Sequence, residues 1–134
     1  MAGRTLRALV VEDEQLLAAH MADALGTIGL SVVGVSNSYD DAIRQLDKPD
    51  AFDIAFIDLY LGREYHGLDL AKLATQRSIA VVLVTGQLSH AISDTLSTLK
   101  SVALLIKPFS IEQLKAVVAA VRKEMTAPDS GTGS

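Results

Sequence analysis

Five polar side chains stand at or just after the ends of apolar runs, and their types could do chemistry together. Glu12 and Asp13 follow the run LRALVV, and Asp58 ends the run DIAFID. Thr85 ends the run IAVVLVT, and Lys107 ends the run VALLIK. Three carboxylates that lie close together repel one another unless a cation lies between them. Oxygen ligands without His or Cys favour Mg²⁺, so the carboxylates predict a magnesium site.

The lysine and the threonine add the chemistry of an anion site. A lysine ammonium binds a phosphoryl oxygen as a point charge, and a threonine hydroxyl can donate a hydrogen bond to another oxygen. The set therefore suits phosphoryl transfer with Asp58 as the nucleophile, which would give an aspartyl phosphate. Because the transition state of that reaction is loose, positioning and charge stabilisation are the protein's main contributions.

The elements that must position these side chains alternate along the chain. The apolar runs predict strands over 6–11, 31–36, 53–58, 79–85 and 102–107. Helical spacing predicts helices over 14–28, 40–48, 67–76, 88–100 and 110–125. Most runs are continuously apolar, as in strands that are buried on both faces of a parallel sheet. We therefore predict a doubly wound, flavodoxin-like (βα)5 fold, with a five-stranded parallel sheet and helices on both faces. Its functional crevice lies outside the carboxyl ends of the strands.

Apolar residues at helical spacing predict the face that each helix turns to the core. These residues are Leu17, Met21, Ala24 and Ile28; Ala42, Ile43 and Leu46; Leu70, Leu73 and Ala74; Leu88, Ile92, Leu96 and Leu99; and Ile111, Leu114, Val118, Val121 and Met125. Ser110 is a good N-cap for the last helix, and Gln113 stands where a capping box requires it.

Composition narrows the class of protein. A length of 134 residues suits one domain, which we place at 1–125, with a flexible, Gly/Ser-rich tail at 126–134. That tail is either natural or a cut in front of another domain. The formal net charge of −4 argues against direct nucleic-acid and anionic-membrane binding. The chain has no Cys and no apolar run of the roughly 18 residues that a span needs, so we expect a cytoplasmic protein without membrane insertion.

Four motifs in this order resemble the receiver domain of two-component response regulators: LVVEDE, FIDLYLG, LVTG and LIKPF. The resemblance covers residues 6–125. It implies that Asp58 accepts a phosphoryl group from a histidine kinase or a histidine phosphotransfer protein. It also implies that Asp13, Asp58 and the main-chain carbonyl of Tyr60 ligate Mg²⁺ directly, with Glu12 acting through water.

The same resemblance implies that Thr85 contacts the phosphoryl group, that Lys107 pairs with it, and that the peptide bond before Pro108 is cis. Phosphorylation would switch a protein-binding surface for a downstream target or relay the phosphate, in a monomer or weak dimer. The apolar stripe of the fourth helix could contribute to such a surface.

The chain departs from the family pattern in two places. Many receivers carry Tyr or Phe two residues before the lysine as a rotating switch, and we assign that position to Leu105. The Pro that is usual after the phosphoacceptor is replaced by Gly62, in a loop that looks one residue longer. Tyr60 and Gln87 flank the phosphate pocket.

Other function classes fit the residues less well. A phosphatase of the haloacid dehalogenase type needs a second Asp two residues after the nucleophile, where this chain has Tyr60. A flavodoxin-like cofactor binder needs a phosphate-cradling loop after the first strand, where this chain has the acidic EDEQ. A degenerate receiver that acts only by binding stays open. His20, His66 and His90 share no metal-site spacing, and Tyr39 and Tyr65 suit packing or loop positions.

Overall fold

Strands and helices alternate along the chain as predicted. The computed structural model describes residues 4–62, 66–99 and 102–126, and it contains five strands and five helices there. The strands are β1 Arg7–Val11, β2 Ser31–Ser36, β3 Ile54–Asp58, β4 Ala80–Thr85 and β5 Val102–Ile106. The helices are α1 Gln15–Thr27, α2 Tyr39–Leu46, α3 His66–Gln76, α4 His90–Ser97 and α5 Ile111–Thr126. Apart from Thr126, which ends α5, the predicted tail lies outside the described residues.

One parallel sheet organises the domain, in the strand order β2-β1-β3-β4-β5. The predicted (βα)5 fold is therefore confirmed. A core of apolar side chains covers each face of the sheet: α2, α3 and α4 pack on one face, and α1 and α5 on the other. The central strand β3 is buried along its whole length. No helix among the described residues is long and apolar enough to cross a membrane.

The edge strand β2 does not follow the expectation of burial on both faces. Val33 and Val35 are 51% and 43% exposed. The register between β1 and β2 passes from Val32 directly to Gly34, which leaves Val33 as a bulge. An edge strand has one neighbour, and a bulge there twists the strand and blunts unwanted pairing.

The predicted core face of α1 is confirmed in part, because Met21, Ala24 and Ile28 pack against the α1/α5 core. The residues of α1 that are buried are Ala18 and Leu25, seven positions apart, whereas Leu17 is 37% exposed. Leu17 instead lines a cavity of about 250 Å³ between α1 and the loop after β5. The remaining predicted positions of α1 are partly buried.

In the other helices the predicted faces are confirmed, except at their ends. Leu88 is exposed because α4 begins only at His90, so Leu88 lies in the loop after β4. Leu99 lies beyond the end of α4 at Ser97, is partly buried and belongs to neither core that the described residues form. Ile111 and Met125 lie in the terminal turns of α5 and are 37% and 41% exposed.

The connection from β5 to α5 forms as predicted. The peptide bond between Lys107 and Pro108 is cis. The N–H of Ser110 donates to Gln113 Oε1 at 2.7 Å, and the N–H of Gln113 donates to Ser110 Oγ at 3.0 Å. This reciprocal pair is a capping box, and it satisfies two backbone donors at the start of the helix.

A buried carboxylate ties β1 to β3 at the end of the sheet opposite the polar strand ends. Asp53 accepts hydrogen bonds from the backbone N–H of Arg7 at 2.7 Å and from the guanidinium groups of Arg7 and Arg4. Burial by itself raises the pKa of Asp53, but these hydrogen bonds outweigh it and lower the pKa to about 2. The site is an internal ion network that holds the N-terminal segment to the sheet.

We expect Asp53→Asn to lower the free energy of unfolding by about 2 kcal/mol near neutral pH, from a pKa lowered from 3.8 to about 2. The folded pKa lies below the unfolded one. The stabilisation is therefore complete above about pH 4 and is lost as the pH falls through about 2. Urea titrations of both proteins at several pH values measure the difference, which should shrink in acid.

Asp47→Asn is the matched control. Asp47 pairs with Arg77 at 2.6 Å, but both side chains are about half exposed, 53% and 46%. Such a pair contributes under about 1 kcal/mol. A loss in Asp53→Asn no larger than in this control would contradict the assignment of Asp53 as a structural anchor.

Candidate functional site

The carboxyl ends of four neighbouring strands carry the predicted site residues to one edge of the sheet. Asp58 is the last residue of β3, and Thr85 is the last residue of β4. Glu12 follows β1 directly, and Lys107 follows β5. Because β3 lies between β1 and β4, Asp58 is central in this set.

The three acidic side chains converge. One carboxylate oxygen each from Glu12, Asp13 and Asp58 lies within 4.8 Å of the others, and no other such group occurs in the described part of the chain. Glu12 and Asp58 are buried, at 7% and 9% exposure, while Asp13 is exposed. A set of hard oxygen donors with one open side fits Mg²⁺, which keeps several of its waters when it binds.

Lys107 places a positive charge next to the carboxylates, independently of any metal. Its Nζ lies 3.6 Å from Glu12 Oε1 and 3.7 Å from Asp58 Oδ2. The side chain is 30% exposed and lines the same cavity as Glu12 and Asp58. One cation facing three carboxylates leaves an excess of negative charge at the site.

The crowding of negative charge changes the pKa of Glu12. Burial raises the pKa of Glu12, and the charge of Asp58 raises it further, whereas the N–H of Glu14 and the charge of Lys107 lower it. The net result is a pKa of about 7, against 4.5 for an unperturbed glutamate. Glu12 is therefore partly protonated near neutral pH when no metal is bound.

Each of the three carboxylates also accepts a backbone hydrogen bond. Glu12 Oε2 accepts from the N–H of Glu14 at 3.1 Å, and Asp58 Oδ1 accepts from the N–H of Tyr60 at 3.0 Å. Asp13 Oδ2 accepts from the N–H of Gly62 at 3.0 Å. The predicted Mg²⁺ ligand in this loop is the carbonyl of Tyr60, and that role stays a prediction.

Asn37 is a positioning contact that the sequence reasoning missed. Its Nδ2 donates to the carbonyl oxygen of Glu12 at 2.9 Å, and the N–H of Glu12 donates to the carbonyl of Ser36 at 3.0 Å. Two contacts from the end of β2 thus hold the backbone of Glu12. Nothing in the spacing of the sequence pointed to Asn37, because the contact depends on the path of the β2–α2 loop.

Thr85 lies at the same edge of the sheet, but its hydroxyl is hydrogen-bonded to the backbone of the β4–α4 loop. The side chain is fully buried, its Oγ1 donates to the carbonyl of Gln87 at 2.6 Å, and it accepts from the N–H of Gln87 at 3.1 Å. The backbone of Lys107 also pairs with Thr85, since the Lys107 N–H donates to the Thr85 carbonyl at 2.7 Å. The β4–α4 loop and the β5 end therefore both depend on Thr85.

Gly67 brings α3 against the end of β3, the strand that carries Asp58. A Cβ at this position would lie 2.7 Å from the Cα of Leu59 and closer still to the carbonyl oxygen of Asp58. The N–H of Gly67 donates to the carbonyl of Leu59 at 3.2 Å. The absence of a side chain thus lets the helix fix the backbone that carries Asp58.

The assignment of Leu105 to the switch position is wrong. Leu105 pairs with Val84 and packs in the α1/α5 core, on the sheet face opposite to Thr85. The β5 residues on the face of Thr85 are Leu104 and Ile106. Both are aliphatic, so β5 has no aromatic side chain behind Thr85.

The remaining candidate residues lie around the cluster without joining it. His20 lines the cavity of about 250 Å³ that Glu12, Asp58 and Lys107 also line. His66 begins α3 rather than lying in the preceding loop, and its ring contacts Tyr39 with a centroid distance of 4.7 Å. Tyr65 lies outside the described residues.

Comparisons with known proteins agree with this arrangement. A family model described as the response regulator receiver domain matches residues 8–119. The transcriptional regulatory protein PdtaR of Mycobacterium tuberculosis H37Rv is 31% identical over 127 residues, which is 90% of this chain. This chain spans 60% of the length of that relative.

Solved structures share the fold. The signal receiver domain of a modulated diguanylate cyclase from Desulfovibrio desulfuricans G20 superposes with a TM-score of 0.78 at 24% identity, over 92% of this chain and 100% of that one. A CheY-like receiver domain from Methylobacillus flagellatus gives 0.70 at 25% identity, over 88% and 99%. Since the family model covers well over half of its residues, this chain belongs to the response regulator receiver domain family.

Proposed function

We propose that this receiver takes a phosphoryl group on Asp58 from a histidine kinase or a histidine phosphotransfer protein. The observation that carries the proposal is the convergence of Glu12 and Asp13 on Asp58, with Lys107 Nζ 3.7 Å from the Asp58 carboxylate. In the reaction, a carboxylate oxygen of Asp58 bonds to phosphorus as the bond from phosphorus to the donor's imidazole nitrogen breaks. The electron pair of that bond stays on the imidazole.

A bound Mg²⁺ would offset the negative charge that develops on the phosphoryl oxygens. Glu12, Asp13, Asp58 and the carbonyl of Tyr60 are the groups that would hold it. Lys107 orients the Asp58 carboxylate and pairs with a phosphoryl oxygen as a point charge. The buried β3 strand and the Gly67 contact fix the direction in which Asp58 points.

Thr85 connects the modification to the surface. Its hydroxyl donates to the carbonyl of Gln87, and a phosphoryl oxygen on Asp58 would compete for that single proton. Transfer of the hydrogen bond frees the loop that carries the exposed Leu88, and the equilibrium between two loop arrangements shifts. The output is then a changed surface for a downstream protein, or relay of the phosphate to another histidine.

The same sequence features support a proposal for the location, the oligomeric state and the partners of the protein. We propose a cytoplasmic protein that works as a monomer or weak dimer, with no direct nucleic-acid contact. The net charge of −4 supports the last point. Self-catalysed phosphotransfer and autodephosphorylation are its only chemistry.

We expect the wild-type protein to gain one phosphoryl group when incubated with acetyl phosphate and Mg²⁺, and Asp58→Ala to gain none. Mass spectrometry of the intact protein measures the gain. Asp69→Asn is a control, because Asp69 is an exposed carboxylate in the first turn of α3 and should leave the gain unchanged. A wild-type protein that gains nothing would support the degenerate receiver instead, and turnover of a phosphate ester would support the phosphatase.

We further expect the affinity for Mg²⁺ to fall as the pH drops through about 7, because a metal must displace the proton from Glu12, whose pKa is about 7. Isothermal titration calorimetry in two buffers of different ionisation enthalpy measures the proton that Mg²⁺ releases. In Glu12→Gln that release should disappear. Equal proton release by both proteins would show that another group titrates.

A further inference from the structure

Among the described residues, a single backbone hydrogen bond joins the acidic loop after β1 to the loop after β3 that follows Asp58. The N–H of Gly62, four residues after Asp58, donates to Asp13 Oδ2 at 3.0 Å. The two residues are 49 positions apart in the chain, and they follow β1 and β3 respectively. Of the backbone bonds that the described residues make to the three carboxylates, this is the one that crosses between loops; those to Glu12 and Asp58 come from two residues further along the chain.

Asp13 needs such a contact more than the other two acids do. Glu12 and Asp58 are buried and lie near Lys107 Nζ, so packing and charge restrict their side chains. Asp13 is exposed, and an exposed carboxylate loses rotamer freedom when a metal fixes it. A hydrogen bond that holds one oxygen in advance lowers that cost, and a carboxylate oxygen has lone pairs enough to accept it and still ligate.

The backbone conformation explains why glycine stands at this position. Gly62 has a φ of +72°, in the left-handed region that side chains other than Asn and Asp rarely adopt. Apart from its chain neighbours, no atom of the described residues lies within 4 Å of the position that a Cβ would take, so the constraint seen there is the dihedral angle and not the space. Proline, the residue that the family usually has here, lacks the N–H and holds φ near −65°.

We propose that Gly62 is a positioning residue for Mg²⁺ binding, which it serves by holding Asp13 toward Glu12 and Asp58 through its backbone N–H. The proposal rests on the function proposed above, in which these carboxylates bind Mg²⁺. Hydrogen bonds to ligating side chains typically change metal affinity by a factor of about 10 to 100.

Two substitutions distinguish the effect of the backbone N–H from the effect of having glycine at this position. Gly62→Pro removes the donor, and we expect the affinity for Mg²⁺, measured by isothermal titration calorimetry, to fall about tenfold. Gly62→Asn keeps the N–H and tolerates the left-handed conformation, so its affinity should stay within about twofold of wild type. Equal affinities in wild type and Gly62→Pro would overturn the proposal.

The Asp13→Ala background shows whether the effect passes through Asp13. Gly62→Pro could also displace the loop and with it the carbonyl of Tyr60. If Gly62 acts through Asp13, adding Gly62→Pro to Asp13→Ala causes no further loss of Mg²⁺ affinity. A further tenfold loss there would assign the effect to the loop and refute the positioning role.

Amide exchange gives a readout that does not depend on phosphorylation. If the hydrogen bond favours Mg²⁺ binding, then Mg²⁺ must favour the hydrogen bond by the same factor. We therefore expect Mg²⁺ to slow exchange of the Gly62 amide in wild type, as measured by NMR. Faster exchange would mean that the bond competes with the metal. If wild type binds no Mg²⁺ at all, the proposed function fails together with this inference, whereas binding that is insensitive to Gly62→Pro refutes this inference alone.

Discussion

Electrostatic repulsion among three carboxylates is the constraint on which the rest of this structure depends. Oxygens of Glu12, Asp13 and Asp58 lie within 4.8 Å of one another, and two of the side chains are buried. Without a metal the strain is visible at Glu12, whose pKa rises to about 7 as burial and the charge of Asp58 favour its protonated form. Lys107 and one backbone N–H per carboxylate offset part of the repulsion. The part that remains favours a divalent cation.

A buried carboxylate lies near each end of β3, and the two differ in the groups that offset their charge. Asp53, just before the strand, accepts hydrogen bonds from Arg4 and Arg7, and these lower its pKa to about 2. Asp58, at the other end, has one lysine shared with Glu12 and one backbone donor. The same buried strand therefore anchors the fold at one end. At the other end it presents a carboxylate whose negative charge is only partly offset.

The sequence predicted what depends on periodicity and topology, and it failed where loop conformation decides. Continuous apolar runs imply parallel strands, and parallel strands bring their carboxyl ends together. The sequence therefore predicted that Asp58 and Lys107 lie at one edge of the sheet. The bonds from Asn37 and Gly62 depend on loop dihedral angles, which no spacing encodes. The face of Leu105 depends on strand register, which the sequence did not supply: strand side chains alternate, and the pairing of Thr85 with Ile106 puts Leu105 on the other face.

The aliphatic character of β5 changes how a signal can leave the site. With Leu104 and Ile106 on the face of Thr85, β5 offers no aromatic ring that could swing toward the threonine. The hydroxyl of Thr85 instead hydrogen-bonds the backbone of Gln87, at both the carbonyl and the N–H of Gln87. Under the proposed function, a phosphoryl oxygen that takes the Thr85 proton leaves the Gln87 carbonyl without its donor. A carbonyl near a buried threonine must find another partner or turn to water, and either outcome moves the β4–α4 loop. The backbone of this loop, and not a side-chain rotamer, is then the two-state element.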